Sequence, residues 1–275
     1  MTPKFKALQL KARHQVYTLL SGHNLSRLHG EGYDFAELRE YQVGDDIRKI
    51  NWTITAKLGK PYIKELHANR ELSVVVASLM DGGVYVGESN AKQRVMTEVA
   101  AILGYAAQHS NDLFTGISFT PQKTVATPPT KQLFDIEHFC EQLYEIPLLN
   151  TTLDTNASLE SLFKRLHKPS LLFVLHDFLE PLDLSLLAQR HDVVAIVIRD
   201  KEEEALKKQG AVKLYNPKKG NSYNTYIGSR SAKRYLAYRE ESDTKMLAHF
   251  SQHDIRYVKI FTDEEPMQKL LTLFR

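Results

Sequence analysis

Long apolar runs alternate with amphipathic segments from residue 71 to the end of the chain. Residues 72–80 (LSVVVASLM) are almost all apolar, as in a strand buried on both faces, whereas residues 92–109 repeat apolar side chains at helical spacing. This alternation predicts an α/β fold with a doubly wound, mostly parallel sheet. The predicted strands are residues 72–80, 113–120, 123–126, 170–175, 192–198 and 256–261, the third being antiparallel because its connection is too short for a crossover.

The first 70 residues have a different pattern. An amphipathic helix is predicted at residues 6–20, and a polar, glycine-punctuated stretch with short aromatic and β-branched runs follows it. This stretch indicates short strands and loops. We therefore predict an N-terminal extension of residues 1–70 and an α/β domain of residues 71–275.

A charged segment, DKEEEALKKQG at residues 200–210, interrupts the alternation of strands and helices. Its charge density predicts a solvated surface segment. Two short β-type runs on either side of a turn then predict a hairpin within residues 212–227, and a helix is predicted at residues 229–250.

Composition narrows the classes of partner and compartment. The 36 Lys and Arg residues against 33 Asp and Glu give a net charge of +3, too small and too evenly spread to predict a nucleic-acid or membrane-surface partner. Cys140 is the only cysteine, which excludes an internal disulfide and a multi-cysteine zinc site. The N-terminus has no apolar targeting core, and no apolar run is long enough to span a bilayer. We therefore predict a cytoplasmic protein.

Carboxylates follow three of the predicted strands, as Asp81, Asp177 and Asp200. Ligands of doubly wound sheets bind beyond the carboxyl ends of the parallel strands, so three acids there could hold a divalent cation. Aspartate is also common after strands of every kind, and this structural interpretation stays open beside the metal site. His176, next to Asp177, is predicted to be a hydrogen-bonded structural residue.

The densest polar cluster lies within residues 39–52. Its members are Arg39, Glu40, Tyr41, Gly44, Asp45, Asp46, Arg48, Asn51 and Trp52. One interpretation is a local network or a partner-binding surface, and the other is a catalytic carboxylate pair. Adjacent side chains usually point in different directions, which disfavours a shared proton or metal ion at Asp45 and Asp46. No nucleophile elbow, P-loop or dinucleotide motif occurs, so we assign no catalytic residue and no cofactor.

Residues 22–66 closely resemble the signature of the bacterial domain of unknown function 58 family. The matched positions are Gly22, Ser26, Phe35, Glu37, Leu38, Arg39, Tyr41, Gly44, Asp45, Asp46, Arg48, Ile50, Trp52, Ala56, Lys57 and Gly59. Further along, LSVVVASLMDGG and SLLFVLHDFLEP are similar to strands of the family's von Willebrand factor A-like domain. The resemblance covers essentially the whole chain.

The resemblance implies a von Willebrand factor A-like doubly wound sheet with the signature segment as its N-terminal extension. It also implies a noncatalytic adaptor that acts with a MoxR-type AAA+ ATPase in the assembly or maturation of other proteins. The expected partners are therefore the ATPase or its client. We expect partner binding through the signature segment and through Asp81, His176 and Asp177.

The resemblance further implies a site for a metal ion. In von Willebrand factor A-like domains the ion is usually held by a D-x-S-x-S segment, a threonine and a further aspartate. This chain keeps Asp81 and Asp177 but has Gly83 and Tyr85 at the serine positions. We expect a degenerate site without a metal, with weak Mg²⁺ binding at the two aspartates as the alternative.

Three alternatives stay open, and one of them is nucleic-acid binding without catalysis, which requires a contiguous basic face that includes Lys233 and Arg234. The threonine role falls to Thr127 or Thr130. The alternative function is a divalent-metal-dependent hydrolase of phosphodiesters, with acids at Asp45, Asp46, Asp81 and Asp177.

Overall fold

A computed structural model of the chain describes residues 3–21, 33–42, 45–68, 71–87, 90–206 and 208–274. The helices are α1 (Pro3–Ser21), α2 (Trp52–Leu58), α3 (Ala91–His109), α4 (Leu133–Glu145), α5 (Thr155–Arg165), α6 (Ser185–Ala188), α7 (Lys201–Glu204), α8 (Ser229–Gln252) and α9 (Pro266–Leu271). The strands are β1 (Tyr33–Glu40), β2 (Tyr62–Ala68), β3 (Ser73–Leu79), β4 (Leu113–Phe119), β5 (Thr124–Ala126), β6 (Leu171–His176), β7 (Asp192–Arg199), β8 (Gly210–Tyr215), β9 (Ser222–Ile227) and β10 (Arg256–Phe261). Short 3₁₀ helices cover Ile47–Lys49, Gly82–Tyr85 and Thr272–Phe274. Among the described residues, no helix combines the length and the apolar character needed to cross a membrane.

The chain divides into two compact units. The smaller unit is Tyr17–Glu71, and the larger one consists of Met1–Val16 together with Leu72–Arg275. The domain boundary placed after residue 70 from the sequence stays a prediction.

The smaller unit contains an antiparallel pair of strands and a short helix. Strands β1 and β2 form the pair, whose register shifts once at a bulge. Helix α2 begins after Asn51, whose side chain accepts a hydrogen bond from the Ile54 N–H, and it ends at Gly59 in the left-handed conformation (φ 72°). The short strands predicted for this polar stretch are present as β1 and β2, but the prediction missed helix α2, which its two caps stabilise.

In the part of the chain that the structure describes, the larger unit is built around a six-stranded sheet of order β10-β7-β6-β3-β4-β5. Strand β5 is antiparallel to β4, and the other neighbours are parallel. Strands β3, β4, β6 and β7 are buried over almost their whole length, which is why their sequences are apolar runs without alternation. The predicted α/β fold with a mostly parallel sheet is confirmed.

The strand order reverses between β3 and β6, which are direct neighbours. In doubly wound sheets such a reversal opens a crevice beyond the carboxyl ends of the two strands. Residues that follow Leu79 in β3 and His176 in β6 therefore lie at this crevice. Strands β8 and β9 form the predicted hairpin as a separate two-stranded sheet.

The charged segment at residues 200–210 is largely exposed, as predicted, but Asp200 and Glu203 are buried, so the prediction holds only in part. Asp200 caps α7, and the Glu203 side chain accepts a hydrogen bond from the Asp200 N–H (2.9 Å), so both side chains are buried. The physical reason is a buried ammonium, because Lys92 Nζ lies 2.6 Å from Glu203 Oε1. Lys92 is 111 residues away from Glu203 in the sequence, so the charge run alone gave no sign of this partner.

Candidate functional site

Asp81 caps the 3₁₀ helix that follows β3. Its Oδ1 accepts a hydrogen bond from the Gly83 N–H (2.8 Å), and its Oδ2 accepts one from the Leu153 N–H (3.2 Å). The ammonium of Lys218 lies 3.0 Å from the same Oδ2. Because the Asp81 carboxylate is buried, its charge is balanced by this lysine and by backbone N–H groups more than by water.

Asp177 follows β6, at the neighbouring strand end. Its Oδ1 accepts a hydrogen bond from the Leu179 N–H (3.2 Å), and its Oδ2 lies 3.2 Å from Lys92 Nζ. Burial alone would raise the pKa of the Asp177 carboxyl, but the charge that the His176 ring takes up in acid and the Lys92 ammonium lower it well below its usual range. Asp177 is therefore ionised at neutral pH.

Lys92, in the first turn of α3, is fully buried and bridges two carboxylates. Its ammonium lies 3.2 Å from Asp177 Oδ2 and 2.6 Å from Glu203 Oε1. An unpaired charge in the interior is costly, so this arrangement keeps all three groups stable there. The sequence reasoning missed Lys92, although one signal was present: it lies at helical spacing from Val95 and Met96, on the apolar face of α3.

The two strand-end carboxylates converge on one point in front of Gly83. A methyl group built on Gly83 would lie 3.0 Å from Asp81 Oδ1 and 3.4 Å from Asp177 Oδ2. The same methyl group would lie 2.9 Å from Cε of Lys218. The Lys218 side chain thus fills the space in front of Gly83. We call Asp81, Asp177, Lys92 and Lys218 the strand-end site.

Lys218 reaches the strand-end site from the turn between β8 and β9. Burial alone would lower the pKa of the Lys218 ammonium, but the Asp81 and Asp177 carboxylates raise it above its usual value. Lys218 is therefore protonated at neutral pH. The sequence carried no signal for this role, since NPKKGN resembles any solvated turn.

His176 is held as a neutral ring. Its Nδ1 accepts a hydrogen bond from the Phe178 N–H (2.9 Å), so the ring carries its proton on Nε2. Burial lowers the pKa of His176, which favours the same neutral form. The ring also contacts Phe178 edge to face, with centroids 5.3 Å apart. These contacts are those of a structural histidine that fixes the turn after β6.

Asp200, the third strand-end acid, has a separate set of partners. Its Oδ1 accepts a hydrogen bond from the Glu202 N–H (2.9 Å), and its Oδ2 accepts one from the Thr262 hydroxyl (2.6 Å). A methyl group on Gly87 would lie 2.3 Å from its Cγ, so the backbone passes close by. Asp200 therefore acts here as a helix cap and a loop anchor.

A fully buried arginine connects the strand-end site to α7 and α8. Arg199 Nε and Nη2 donate to the carbonyl oxygens of Asp177 and Phe178, both at 2.8 Å. Its other contacts are ion pairs with Glu204 (2.9 Å) and Asp243 (2.8 Å). Arg199 thereby fixes the backbone that carries Asp177.

The signature residues that the structure describes lie in the smaller unit, whereas Gly22, Ser26 and Gly44 lie outside the described residues. Asp45 Oδ2 accepts a hydrogen bond from the Gln42 N–H (2.8 Å), whereas Asp46 Oδ1 accepts one from the Arg48 N–H (3.0 Å). The two adjacent carboxylates therefore bond backbone groups on opposite sides of the turn. The remaining positions are Arg39 in β1, Tyr41 directly after it, and Trp52 at the start of α2. The structure thus places Asp81, His176 and Asp177 in one unit and the signature residues in the other.

Neither threonine suggested by the resemblance reaches the strand-end site. Thr130 bridges to Phe114 at the amino end of β4, the end opposite to Asp81, and its hydroxyl donates to Asp135 (2.6 Å). The Thr127 hydroxyl accepts a hydrogen bond from the Gly116 N–H of β4 (2.9 Å). The segment that contacts Asp81 is instead the loop before α5, through the Leu153 N–H.

The residues at the strand ends do not fit the metal ion that the resemblance implies. Gly83 offers no hydroxyl, and the carboxylates of Asp81 and Asp177 already pair with lysines of the same chain. A hard cation needs several oxygen ligands in near-octahedral geometry, and the ammonium of Lys218 repels it. Among the described residues, no group of three or more carboxylate, imidazole or thiol side chains is arranged to hold a metal.

The family described as "Protein of unknown function DUF58" matches residues 37–245. The chain belongs to this family. The match begins inside the signature segment and extends through the larger unit into α8, so it includes Asp81, Asp177 and Lys218. The family resemblance inferred from the signature motif is therefore confirmed.

The relatives of this chain include the uncharacterized protein Rv1480 of Mycobacterium tuberculosis and the uncharacterized protein Mb1516 of Mycobacterium bovis. Each is 23% identical over 222 residues, which cover 78% of this chain and 70% of the relative.

Two solved structures also show similarity. The conserved hypothetical protein BatB from Bacteroides thetaiotaomicron is 12% identical with a TM-score of 0.41, covering 74% of this chain and 98% of that one. An aerotolerance-related membrane protein from Bacteroides fragilis is 12% identical with a TM-score of 0.37, covering 66% of this chain and 98% of that one. The membrane description contradicts the cytoplasmic location predicted from the sequence, and we withdraw that prediction. The description is of the Bacteroides protein, and we assign this chain to no compartment.

Proposed function

We propose that this chain is a noncatalytic, metal-independent interaction module that acts with a MoxR-type AAA+ ATPase in the assembly or maturation of other proteins. The observation that carries the proposal is the pairing of both carboxylates of the strand-end site, Asp81 and Asp177, with lysines of the same chain. Asp81 lies 3.0 Å from Lys218, and Asp177 lies 3.2 Å from Lys92. Carboxylates that are buried and paired with ammonium groups in this way are poor general acids and poor cation ligands.

The topology supports a von Willebrand factor A-like domain within this proposal. Numbered by their order along the chain, the strands of the large sheet follow the spatial order 3-2-1-4-5-6, with an antiparallel third strand at one edge. The order reverses between the first and fourth strands, where Asp81 and Asp177 lie. The strand-end site therefore occupies the place where a doubly wound sheet binds its ligand.

Exposed apolar side chains in the signature segment support a role in partner binding. Trp52 is 66% exposed, and Ile47 and Leu58 are exposed on the same short stretch. Large exposed aromatic residues are costly to leave in water and are frequent anchors of protein interfaces. We infer that the partner contacts this segment and also the exposed residues around the strand-end site, which we call its rim.

Binding of the purified chain to a MoxR-type ATPase from the same organism tests the proposal. We expect the same affinity in EDTA as in Mg²⁺ without nucleotide, because the strand-end site needs no metal. Binding that requires Mg²⁺ and is abolished by Asp81→Ala would contradict metal independence. Failure to bind the ATPase under both conditions would contradict the assigned partner.

A matched pair of charge reversals tests the contribution of the rim. Lys219 is exposed next to Lys218, whereas Lys164 is exposed in the last turn of α5, which leads to the amino end of β6. Lys219→Glu should weaken ATPase binding about tenfold, as expected for a reversed interface charge, and Lys164→Glu should leave it unchanged. Equal effects of the two variants on ATPase binding would show that the rim is not part of the interface.

A further inference from the structure

The turn between β8 and β9, residues 216–221, is held in a fixed shape, and we call it the hairpin tip. Asn216 Oδ1 accepts hydrogen bonds from the N–H groups of Lys218 (2.9 Å) and Lys219 (3.1 Å). The Gly220 N–H donates to the Asn216 carbonyl oxygen (2.8 Å). The side chain of Asn216 therefore fixes the backbone of Lys218 from within the turn.

The hairpin tip lies against the two segments that flank Asp81. The Asn150 N–H donates to the carbonyl oxygen of Pro217 (2.7 Å), and the Thr152 hydroxyl donates to that of Lys218 (3.2 Å). A methyl group built on Gly82 would lie 2.0 Å from the Pro217 oxygen, so this approach requires glycine at position 82. The tip therefore covers the loop that begins at Asp81.

The Lys218 side chain extends from the tip into the crevice between β3 and β6. Its ammonium lies 3.0 Å from Asp81 Oδ2, and 36% of the side chain stays exposed. The neighbouring carboxylate of Asp177 also raises its pKa. One protonated amine on a preorganised turn thus pairs with Asp81, while the neighbouring Asp177 pairs with Lys92.

We propose that Lys218 is the resident cation of the strand-end site, and that its ion pair with Asp81 holds the hairpin tip across the crevice. The inference rests on the proposed metal-independent function and explains how the chain achieves it. The hairpin supplies from within the chain the positive charge that a bound metal ion would otherwise supply. Partners meet a closed rim formed by the hairpin tip, and a divalent cation is excluded from Asp81 while the tip is in place.

Hydrogen exchange of the full chain tests this proposal. Lys218→Met removes the charge and keeps the length of the side chain. We expect amide exchange within residues 210–227 to become about tenfold faster, because a charge-assisted contact is lost and Asp81 is left without its cation. Lys219→Met is the control, since the structure shows the Lys219 N–H, not its ammonium, bound to Asn216, and it should exchange like the wild type.

A second variant keeps the proposal testable if Lys218→Met fails to fold. Asp81→Asn retains an oxygen for the Gly83 N–H and removes the charge that attracts Lys218, so it should accelerate the same exchange. Unchanged exchange of residues 210–227 in the folded variants would overturn the proposal. Saturable Mn²⁺ binding by the wild type that disappears in Asp81→Asn would also overturn it. Failure of the ATPase binding experiment would leave these exchange rates as they are, so the two proposals fail separately.

Discussion

Lys92 bridges two carboxylates that come from different elements, Asp177 after β6 and Glu203 in α7. Lys92→Met removes the charge at nearly constant volume and leaves both buried acids without the ammonium that they share. We expect the larger unit to lose about 3–5 kcal/mol of stability, the usual cost of breaking a buried pair from one side. The measurement is urea unfolding followed by circular dichroism.

Two further variants complete this experiment. Lys164→Met removes an exposed lysine that lies 3.8 Å from Glu160, and it should unfold at the wild-type midpoint. The double variant Lys92→Met with Glu203→Gln should recover part of the loss, because one of the uncompensated charges is gone. A single variant as stable as the wild type would show that Lys92 does not balance these acids.

His176 makes the stability of the larger unit depend on pH. Burial lowers the pKa of its ring in the folded chain, whereas the unfolded chain titrates near the ordinary value of about 6.5. Between the lowered pKa of the folded chain and about pH 6.5, the unfolded chain therefore binds more protons than the folded chain does. The stability that the neutral His176 ring contributes is complete above about pH 6.5 and is lost as the pH falls below that value. His191 and His249, whose pKa values burial also lowers, add to the same trend.

The matched variants separate His176 from the other histidines. His176→Asn keeps an acceptor for the Phe178 N–H but does not titrate, so its unfolding midpoint should fall less steeply between about pH 7 and about pH 5. His138→Asn, on an exposed position of α4, should follow the wild type. A wild-type slope in His176→Asn would show that this ring does not contribute.

At the scale of elements, Arg199 connects β7 to the turn after β6, to α7 and to α8. Its guanidinium has four partners in fixed directions, which an ammonium cannot reproduce. Arg199→Lys should therefore cost about 1–3 kcal/mol of stability although the charge is kept. Arg256→Lys, which changes an exposed pair with Asp192, is the control and should unfold like the wild type in the same urea titration.

The elements themselves were largely predictable from the sequence, because their information is local. The apolar runs of β3, β6 and β7 reflect burial on both faces, and strand β10 occupies the predicted residues 256–261. Helix α8 extends two residues beyond the predicted residue 250. The antiparallel direction of β5 followed from its short connection to β4.

Of the strand-end site, only the two aspartates were predictable from the sequence, because only their positions depend on local information. The positions of Asp81 and Asp177 follow from the strand ends, because parallel strands bring their carboxyl ends to one edge. Their partners Lys92 and Lys218 come from a helix face and a hairpin turn, and nothing local to the aspartates indicates them. Ion pairs between residues far apart in the sequence are properties of the folded chain.

At the scale of the whole molecule, the proposed interface includes Trp52. The side chain is 66% exposed, so its truncation removes little packing. Trp52→Ala should weaken binding to the MoxR-type ATPase about tenfold, as expected for an aromatic anchor. Phe134→Ala, a matched change on α4 where the ring is 75% exposed, should bind like the wild type. Equal ATPase affinity of the two variants would show that the signature segment is not part of the interface.

The central claim is that the chain's own lysines, and not a metal ion, neutralise the strand-end carboxylates. Calorimetric titration of the purified chain with Mn²⁺ and Mg²⁺ tests it most directly, with Asp81→Ala and Asp177→Ala as companions. We predict no saturable heat of binding from any of the three proteins. Saturable binding by the wild type that is lost in both variants would contradict the claim and place a metal ion at these two acids.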